Sequence, residues 1–204
     1  MITLDYVIYD CIANASILIF AFLLYKKNSY AWLFVLASLL IKVFIYGKYG
    51  ISTSLIYLSA QILTAILAAI IWLRNPTYVK VSKQKKLSIS GIALIILAIW
   101  IGLMYKYVNP YILDYKLLFG FDYLCYMLVV IGGVFLIFRL AIGLLFFSVV
   151  FISYAVNYAN SAMVIQNAPQ FYRDFILYYW LSAILLFIAG IVIVASYTNA
   201  KRSI

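Results

Sequence analysis

Long runs of apolar residues, separated by short polar stretches, repeat along the whole chain. The third run, at residues 54–73, contains no charged residue, and at about 20 residues it is long enough to cross a bilayer as a helix. Similar runs follow one another from the N-terminus to the C-terminus. We therefore expect about seven transmembrane helices, at residues 6–25, 30–46, 54–73, 87–107, 120–138, 140–158 and 174–197.

The composition agrees with a membrane location. Hydrophobic residues make up 69% of the sequence and charged residues 10%, whereas roughly a quarter of a soluble domain is charged. The net charge of +10 lies mainly in short loops between the apolar runs, which indicates membrane topology rather than nucleic-acid binding. The chain has no His, which removes the commonest general base and many metal and haem ligands. We expect an all-α integral membrane protein that is not an enzyme and has no cofactor.

The distribution of basic residues predicts the orientation. With seven spans, one side holds Lys26, Lys27, the polar segment at residues 74–86, Arg139 and the C-terminal tail. This side is richer in Lys and Arg than the other, and such loops usually face the cytoplasm. We therefore expect a multi-pass protein of the cell membrane, with its N-terminus outside and its C-terminus in the cytoplasm.

A short segment that recurs in similar form in the two halves of the chain predicts an internal repeat. Residues 57–60 read Tyr-Leu-Ser-Ala in the third span, and residues 180–183 read Trp-Leu-Ser-Ala in the seventh. Three spans plus one linker span restore the original orientation, so the two repeats would be parallel. We predict a three-plus-one-plus-three bundle. Its parts are a first three-helix bundle at residues 1–73, a basic loop, linker helix and interfacial segment at 74–119, and a second three-helix bundle with a cytoplasmic tail at 120–204.

Asn, Trp, Gly and Tyr positions recur along residues 25–73. Residues 28–32 read Asn-Ser-Tyr-Ala-Trp, residues 44–51 read Phe-Ile-Tyr-Gly-Lys-Tyr-Gly-Ile, residues 55–57 read Leu-Ile-Tyr, and Trp72 closes the third span. Together they resemble the PnuC family of bacterial vitamin transporters, which is related to the SWEET sugar transporters. The resemblance implies a three-plus-one-plus-three helix plan. It also implies facilitated diffusion of nicotinamide riboside or, as in relatives, of thiamine or riboflavin.

The second half departs from the family pattern. Residues 143–147 read Gly-Leu-Leu-Phe-Phe where the family has Trp-x-x-Trp in the sixth helix. Ala68 and Ala69 stand where the family has a glycine before the closing Trp of the third helix. A transporter of the same architecture with another substrate therefore stays open.

Polar side chains within the spans are the candidates for binding a solute. A site for a polar vitamin or sugar needs amides and hydroxyls near the middle of the membrane, with aromatic faces to hold a ring. Tyr57 and Trp180 occupy equivalent positions in the two similar segments and are expected to face each other. The same side chains would also serve as interhelical hydrogen bonds in a purely structural role. The candidate substrate-binding residues are Gln61, Asn14, Tyr57, Asn157, Trp180 and Ser182.

The charged residues in the spans favour uncoupled transport. Asp10 lies about one turn into the first span and is expected to face water. Lys42 can extend its ammonium group from near a helix end to the interface. Tyr158 and other tyrosines at span ends fit the aromatic belt of a bilayer interface. We therefore favour diffusion of the solute over proton symport.

Two functions follow from these observations. The first is a membrane transporter for a small polar solute, by facilitated diffusion of a B-vitamin-type nucleoside or a related compound through a central site between the bundles. The alternative is a non-catalytic structural subunit of a larger membrane complex. Homo-oligomers and membrane-complex partners both stay open. A transporter should line a central cavity with Gln61 and Asn157, whereas a subunit should pack them against neighbouring side chains.

Overall fold

The structure is a computed structural model of the chain, and it describes residues 4–48, 52–74, 77–107, 118–166 and 175–202. Within these ranges the chain forms seven α-helices and no strand, so the all-α prediction is confirmed there. The helices are α1 (Leu4–Tyr25), α2 (Ala31–Lys48), α3 (Ser52–Arg74), α4 (Lys83–Tyr107), α5 (Leu118–Ile137), α6 (Gly143–Ile165) and α7 (Ile176–Arg202).

Three helix ends differ from the predicted spans. α4 begins at Lys83, before the apolar run, because the Ser82 hydroxyl accepts a hydrogen bond from the Lys85 N–H at 3.3 Å and caps the helix. α6 continues to Ile165, through part of the segment at 159–173 that was expected to be a loop. Polar residues alone do not end a helix, and residues 159–165 contain neither Gly nor Pro. The basic residues near the C-terminus are likewise part of α7.

The α1–α2 and α5–α6 connections are short turns built in the same way. Lys27 and Arg139 have left-handed backbones, with φ of 57° and 58°, a conformation that is uncommon for residues with a Cβ. In each turn, this residue and the next donate backbone hydrogen bonds to carbonyls in the last turn of the preceding helix. The longer-range bonds run from Asn28 to Leu23 at 2.9 Å and from Leu140 to Phe135 at 2.8 Å. The predicted spans 120–138 and 140–158 leave only Arg139 between them, and the structure has a short turn at this place.

Six of the helices pack as a closed ring. Each contacts the next in the order α1, α2, α3, α5, α6, α7 and back to α1, and α4 packs against α5. Glycine allows α5 and α6 to approach backbone to backbone, because a Cβ on Gly143 would lie 2.5 Å from the Gly132 carbonyl oxygen. The ring thus encloses the interior in which the candidate site lies.

Apolar side chains also cover the outside of the helices. Leu94, Val164 and Leu177 expose 63%, 73% and 79% of their surfaces, which is unfavourable in water and favourable in hydrocarbon. Seven spans were predicted. Within the described residues, α1, α2, α6 and α7 are long and apolar enough to cross a membrane, and α3 and α5 contain shorter apolar stretches. The four long helices indicate a membrane-embedded protein.

Residues 77–82, which precede α4, pack against one end of the ring. The Trp72 indole N–H donates a hydrogen bond of 2.8 Å to the Leu136 carbonyl and joins α3 to α5. The Tyr78 ring packs edge-on against the Trp72 ring at 4.8 Å, and the Val79 N–H donates to the Arg139 carbonyl at 3.1 Å. Burial raises the pKa of the Tyr78 hydroxyl, so this group stays neutral at this end of the bundle.

Candidate functional site

A cavity of about 230 Å³ lies inside the ring, and all six helices of the ring contribute to its wall. α2 and α6 supply most of its lining, while Ile17, Val129 and Leu186 come from α1, α5 and α7. The wall combines apolar and aromatic faces with a small set of polar groups, which is the usual composition of a small-molecule site. These polar groups include Ser38, Lys42, Gln61, Thr64, Tyr154, Asn157 and Tyr158.

Two of the amides of the sequence analysis line this cavity. Gln61 extends from the middle of α3 and Asn157 from α6, and both side chains line the wall. An amide offers both a donor and an acceptor, so two of them can hold the polar edge of a bound molecule. Both amides therefore belong to the polar part of the cavity wall.

Aromatic side chains form another part of the wall. Trp32, Phe147 and Phe151 line the cavity, and the Phe147 and Phe151 rings lie edge to face at 6.0 Å. Trp32 is 1% exposed and packs against Phe20 at 5.5 Å between ring centroids. These rings offer apolar faces on which a planar ligand can stack.

A buried carboxylate lies directly behind this wall. Asp10 on α1 is 3% exposed, and its Oδ2 accepts hydrogen bonds from Tyr158 at 2.6 Å, Tyr178 at 2.7 Å and Asn14 at 3.1 Å. We call Asp10, Asn14, Tyr158 and Tyr178 the Asp10 cluster. Tyr158 belongs both to the cluster and to the cavity wall, so the cluster connects α1, α6 and α7 beside the cavity.

The other predicted site residues lie elsewhere. Asn14 is fully buried and serves the Asp10 cluster instead of the cavity wall. Ser182 is fully buried and Trp180 half-buried on α7, and neither is among the residues that line the cavity. The side chain of Tyr57 lies outside the described residues, and so does its expected pairing with Trp180.

Three sequence interpretations require correction. The expectation that Asp10 faces water is wrong, because the carboxyl group is buried with three hydrogen-bond donors around it. Lys42, interpreted as extending to the interface, lines the central cavity. Tyr158, assigned only to the aromatic belt, bonds Asp10 from the cavity wall. The spacing of Asp10 and Asn14 by one helical turn could have revealed their hydrogen bond.

A second cavity, of about 480 Å³, lies where α4, the α5–α6 turn and the C-terminal part of α7 meet. Lys80, Lys86 and Lys201 line it, together with Ser90 and Tyr197. The Arg139 turn adjoins it through Leu140. Basic side chains are thus concentrated at this end of the bundle.

The described residues contain no group of three or more Cys, Asp or Glu side chains able to hold a metal ion. Comparison of the chain with protein-family models, curated proteins and solved structures gives no match. The resemblance to PnuC therefore rests on the quoted residues alone.

Proposed function

We propose that this protein is a membrane transporter that carries a small polar solute by facilitated diffusion through the cavity inside the six-helix ring. The observation that carries the proposal is the placement of Gln61 and Asn157, from two halves of the chain, on the wall of one cavity. A B-vitamin-type compound is the solute class that the family resemblance implies. The aromatic part of the wall suits the ring of such a compound.

The position of the two amides also favours a transporter over a structural subunit. In a subunit that only holds helices together, amides are expected to bond neighbouring helices. Gln61 and Asn157 instead border free volume, next to Lys42 and Thr64, in a space with room for a ligand. This arrangement supports solute binding, and we propose a non-enzymatic role for the protein.

Two parallel three-helix bundles, with α4 as the linker, are part of the proposal. The sequence shift that aligns Lys27 with Arg139, the two left-handed turn residues, also aligns α1 with α5 and α2 with α6. The same shift aligns Asp10 with Asp122 in the sequence. Six cavity-lining residues of α1 and α2 align in this way with six cavity-lining residues of α5 and α6. The first set is Ile17, Val35, Ser38, Leu39, Lys42 and Tyr46, and the second, in the same order, is Val129, Phe147, Val150, Phe151, Tyr154 and Tyr158. This agreement supports an internal repeat around the cavity.

We further propose that the basic end of the bundle faces the cytoplasm. Lys80, Lys86 and Lys201 surround the second cavity at this end, beside the Arg139 turn. The start of α1 and the end of α2 carry the Asp5–Lys48 ion pair, of 3.0 Å, and belong to the other end. The positive-inside rule supports an N-terminus outside and a C-terminus in the cytoplasm.

The hydrogen bonding of Asp10 supports diffusion without a coupled proton. Its Oδ2 accepts three hydrogen bonds, and Asp10 is not among the residues that line the cavity. A carboxylate that is held in this way stabilises the packing of three helices and does not require a substrate or an ion to satisfy it.

Ligand-induced stabilisation of the purified protein tests the proposal. The panel should contain nicotinamide riboside, thiamine, riboflavin, nicotinate and simple sugars. A ligand that binds only the folded state raises the apparent free energy of unfolding by about 2.7 kcal/mol at a hundredfold excess over its Kd. We expect a hit that Gln61→Leu removes and that Gln84→Leu, at an exposed position of α4, leaves unchanged. A complete lack of hits, with partner proteins that co-purify, would favour the structural subunit.

A further inference from the structure

Two residues of the cavity wall carry a buried polar group that can donate a hydrogen bond. The Trp32 indole N–H and the Ser38 hydroxyl are buried on side chains 1% exposed, and neither has a hydrogen-bond partner among the described residues. Both residues line the cavity. Because an indole N–H can only donate, a ligand that satisfies it has to present an acceptor.

Lys42 adds a positive charge to the same wall. Its Nζ lies 6.0 Å from the centroid of the Tyr154 ring, at the outer limit of a cation–π contact. Among the described residues, Lys42 has no ion pair and no hydrogen-bond partner. An ammonium group has three N–H donors and no acceptor, so it too requires an acceptor-bearing ligand, preferably an anionic one.

No acid with a described side chain neutralises this charge. Asp5 pairs with Lys48 at 3.0 Å, on an exposed part of the chain. Asp10 is not on the cavity wall, and Tyr158, Tyr178 and Asn14 already donate to it. A cationic ligand would therefore meet the like charge of Lys42, which none of the described acids compensates, whereas an anion would complete an ion pair there.

The size of the cavity limits what such an anion can be. Its volume of about 230 Å³ is below the roughly 300–1,000 Å³ usual for drug-sized ligands. An engineered cavity of roughly 150 Å³ holds one benzene molecule. The cavity therefore suits one ring with a short polar substituent better than a ring joined to a sugar.

We propose that the cavity selects a single-ring aromatic monoanion, with its carboxylate at Lys42 and its ring among Trp32, Phe147 and Phe151. This inference rests on the proposed transport function and specifies its substrate class. It also excludes cationic vitamins as preferred substrates. Gln61 and Asn157 would bond the polar edge of the ring.

Three probes of nearly equal size and different charge test the inference. They are nicotinate, which is anionic, nicotinamide, which is neutral, and 1-methylnicotinamide, which is cationic. Binding to the purified protein is measured by calorimetry, and flux is measured in proteoliposomes. Because a charge-assisted hydrogen bond is worth more than a neutral one, we expect nicotinate to bind at least about tenfold more tightly than nicotinamide, and 1-methylnicotinamide to bind least.

Variants of Lys42 separate charge from packing. Lys42→Met should remove the preference for nicotinate over nicotinamide, while Lys42→Arg should retain most of it. Lys85→Met, at an exposed position of α4, is the matched control and should change neither. Thermal unfolding of each variant shows whether the fold is kept.

Two results would overturn the inference. The first is nicotinamide or 1-methylnicotinamide binding as tightly as nicotinate, and the second is a preference for nicotinate that survives in folded Lys42→Met. In either case, transport of any of the three probes would leave the proposed transport function standing. If no solute of any charge binds or moves, the transport function fails and the substrate class fails with it.

Discussion

Tyr158 on α6 donates a hydrogen bond of 2.6 Å to Asp10 on α1, and the Tyr158 side chain also lines the central cavity. Tyr178 on α7 reaches the same carboxylate oxygen at 2.7 Å. A single buried acid therefore joins the first helix of the chain to the last two helices. It closes the ring where the first helix of the chain packs against the last.

Removing this acid should destabilise the fold. Asp10→Ala leaves two tyrosine hydroxyls and the Asn14 amide without their acceptor, and unpaired buried donors are costly. We expect a loss of about 2 kcal/mol or more in the free energy of unfolding, measured in mixed detergent micelles. Asp5→Ala is the control, because the Asp5 side chain is 62% exposed in its ion pair and such pairs contribute at most about 1 kcal/mol. Equal losses in the two variants would show that Asp10 is not a structural centre.

Substitution of the two tyrosines of the Asp10 cluster should lower stability in both cases but should change transport in only one. Tyr158→Phe and Tyr178→Phe each remove one hydrogen bond, and we expect each to cost about 1 kcal/mol of stability. Only Tyr158 lines the cavity. Tyr158→Phe should therefore also change solute affinity or flux, whereas Tyr178→Phe should leave both near wild type when measured at a temperature where each variant is folded. A similar effect of both variants on flux would contradict this division.

Gly143 should not tolerate a side chain. A Cβ there would lie 2.5 Å from the Gly132 carbonyl oxygen and 2.7 Å from the Leu136 side chain, and overpacking of this kind costs typically about 1–3 kcal/mol. Gly91→Ala in α4 is the matched control, since nothing lies within 4 Å of its added Cβ. Because Ala is the better helix former, Gly91→Ala should be neutral or stabilising by up to about 1 kcal/mol. Thermal unfolding of the two variants measures the difference, and the prediction fails if Gly143→Ala unfolds no lower than Gly91→Ala.

The proposed orientation can be tested with single cysteines. In a background with Cys11 and Cys125 replaced by Ala, Asp5→Cys should react with a membrane-impermeant maleimide added to intact cells. Lys26→Cys, at the opposite end of α1, should react only after the cells are opened. Reaction of Lys26→Cys in intact cells, with Asp5→Cys protected, would reverse the proposed topology.

Much of the helix plan could be predicted from the sequence, because the length of an apolar run sets the length of the helix that crosses a bilayer. The described helices follow the predicted runs, and the differences lie at their ends, where local features decide. Ser82 caps α4 ahead of its apolar run, and the lack of Gly or Pro lets α6 continue to Ile165. Gln61 and Asn157 were chosen because an amide in an apolar run requires a partner or a cavity. Both line the cavity, and their role in binding a solute stays a prediction.

The remaining site residues depend on contacts between distant parts of the chain. Asp10 meets Tyr158 and Tyr178, which are 148 and 168 positions away, and only the contact between α1 and α7 brings them together. The predictions of an exposed Asp10 and an extended Lys42 were based on the position of each residue within its span. They were wrong because the distance from a helix end does not reveal which face of the helix points inward. The same limit applies to Asn14, which was predicted at the solute site and bonds Asp10 instead.

Solute flux through paired cavity variants tests the central proposal most directly. Purified protein is reconstituted in proteoliposomes, and uptake and counterflow of radiolabelled nicotinate and nicotinamide riboside are measured for the wild type, Gln61→Leu and Asn157→Leu. Gln84→Leu and Asn160→Leu, at exposed positions, are the matched controls. We predict saturable flux of at least one of these solutes. Each cavity variant should reduce this flux at least about fivefold, since one lost hydrogen bond is worth roughly 1 kcal/mol or more. The control variants should leave it unchanged. Flux that is equal in cavity and control variants, or flux no greater than in protein-free liposomes, would contradict transport through this cavity.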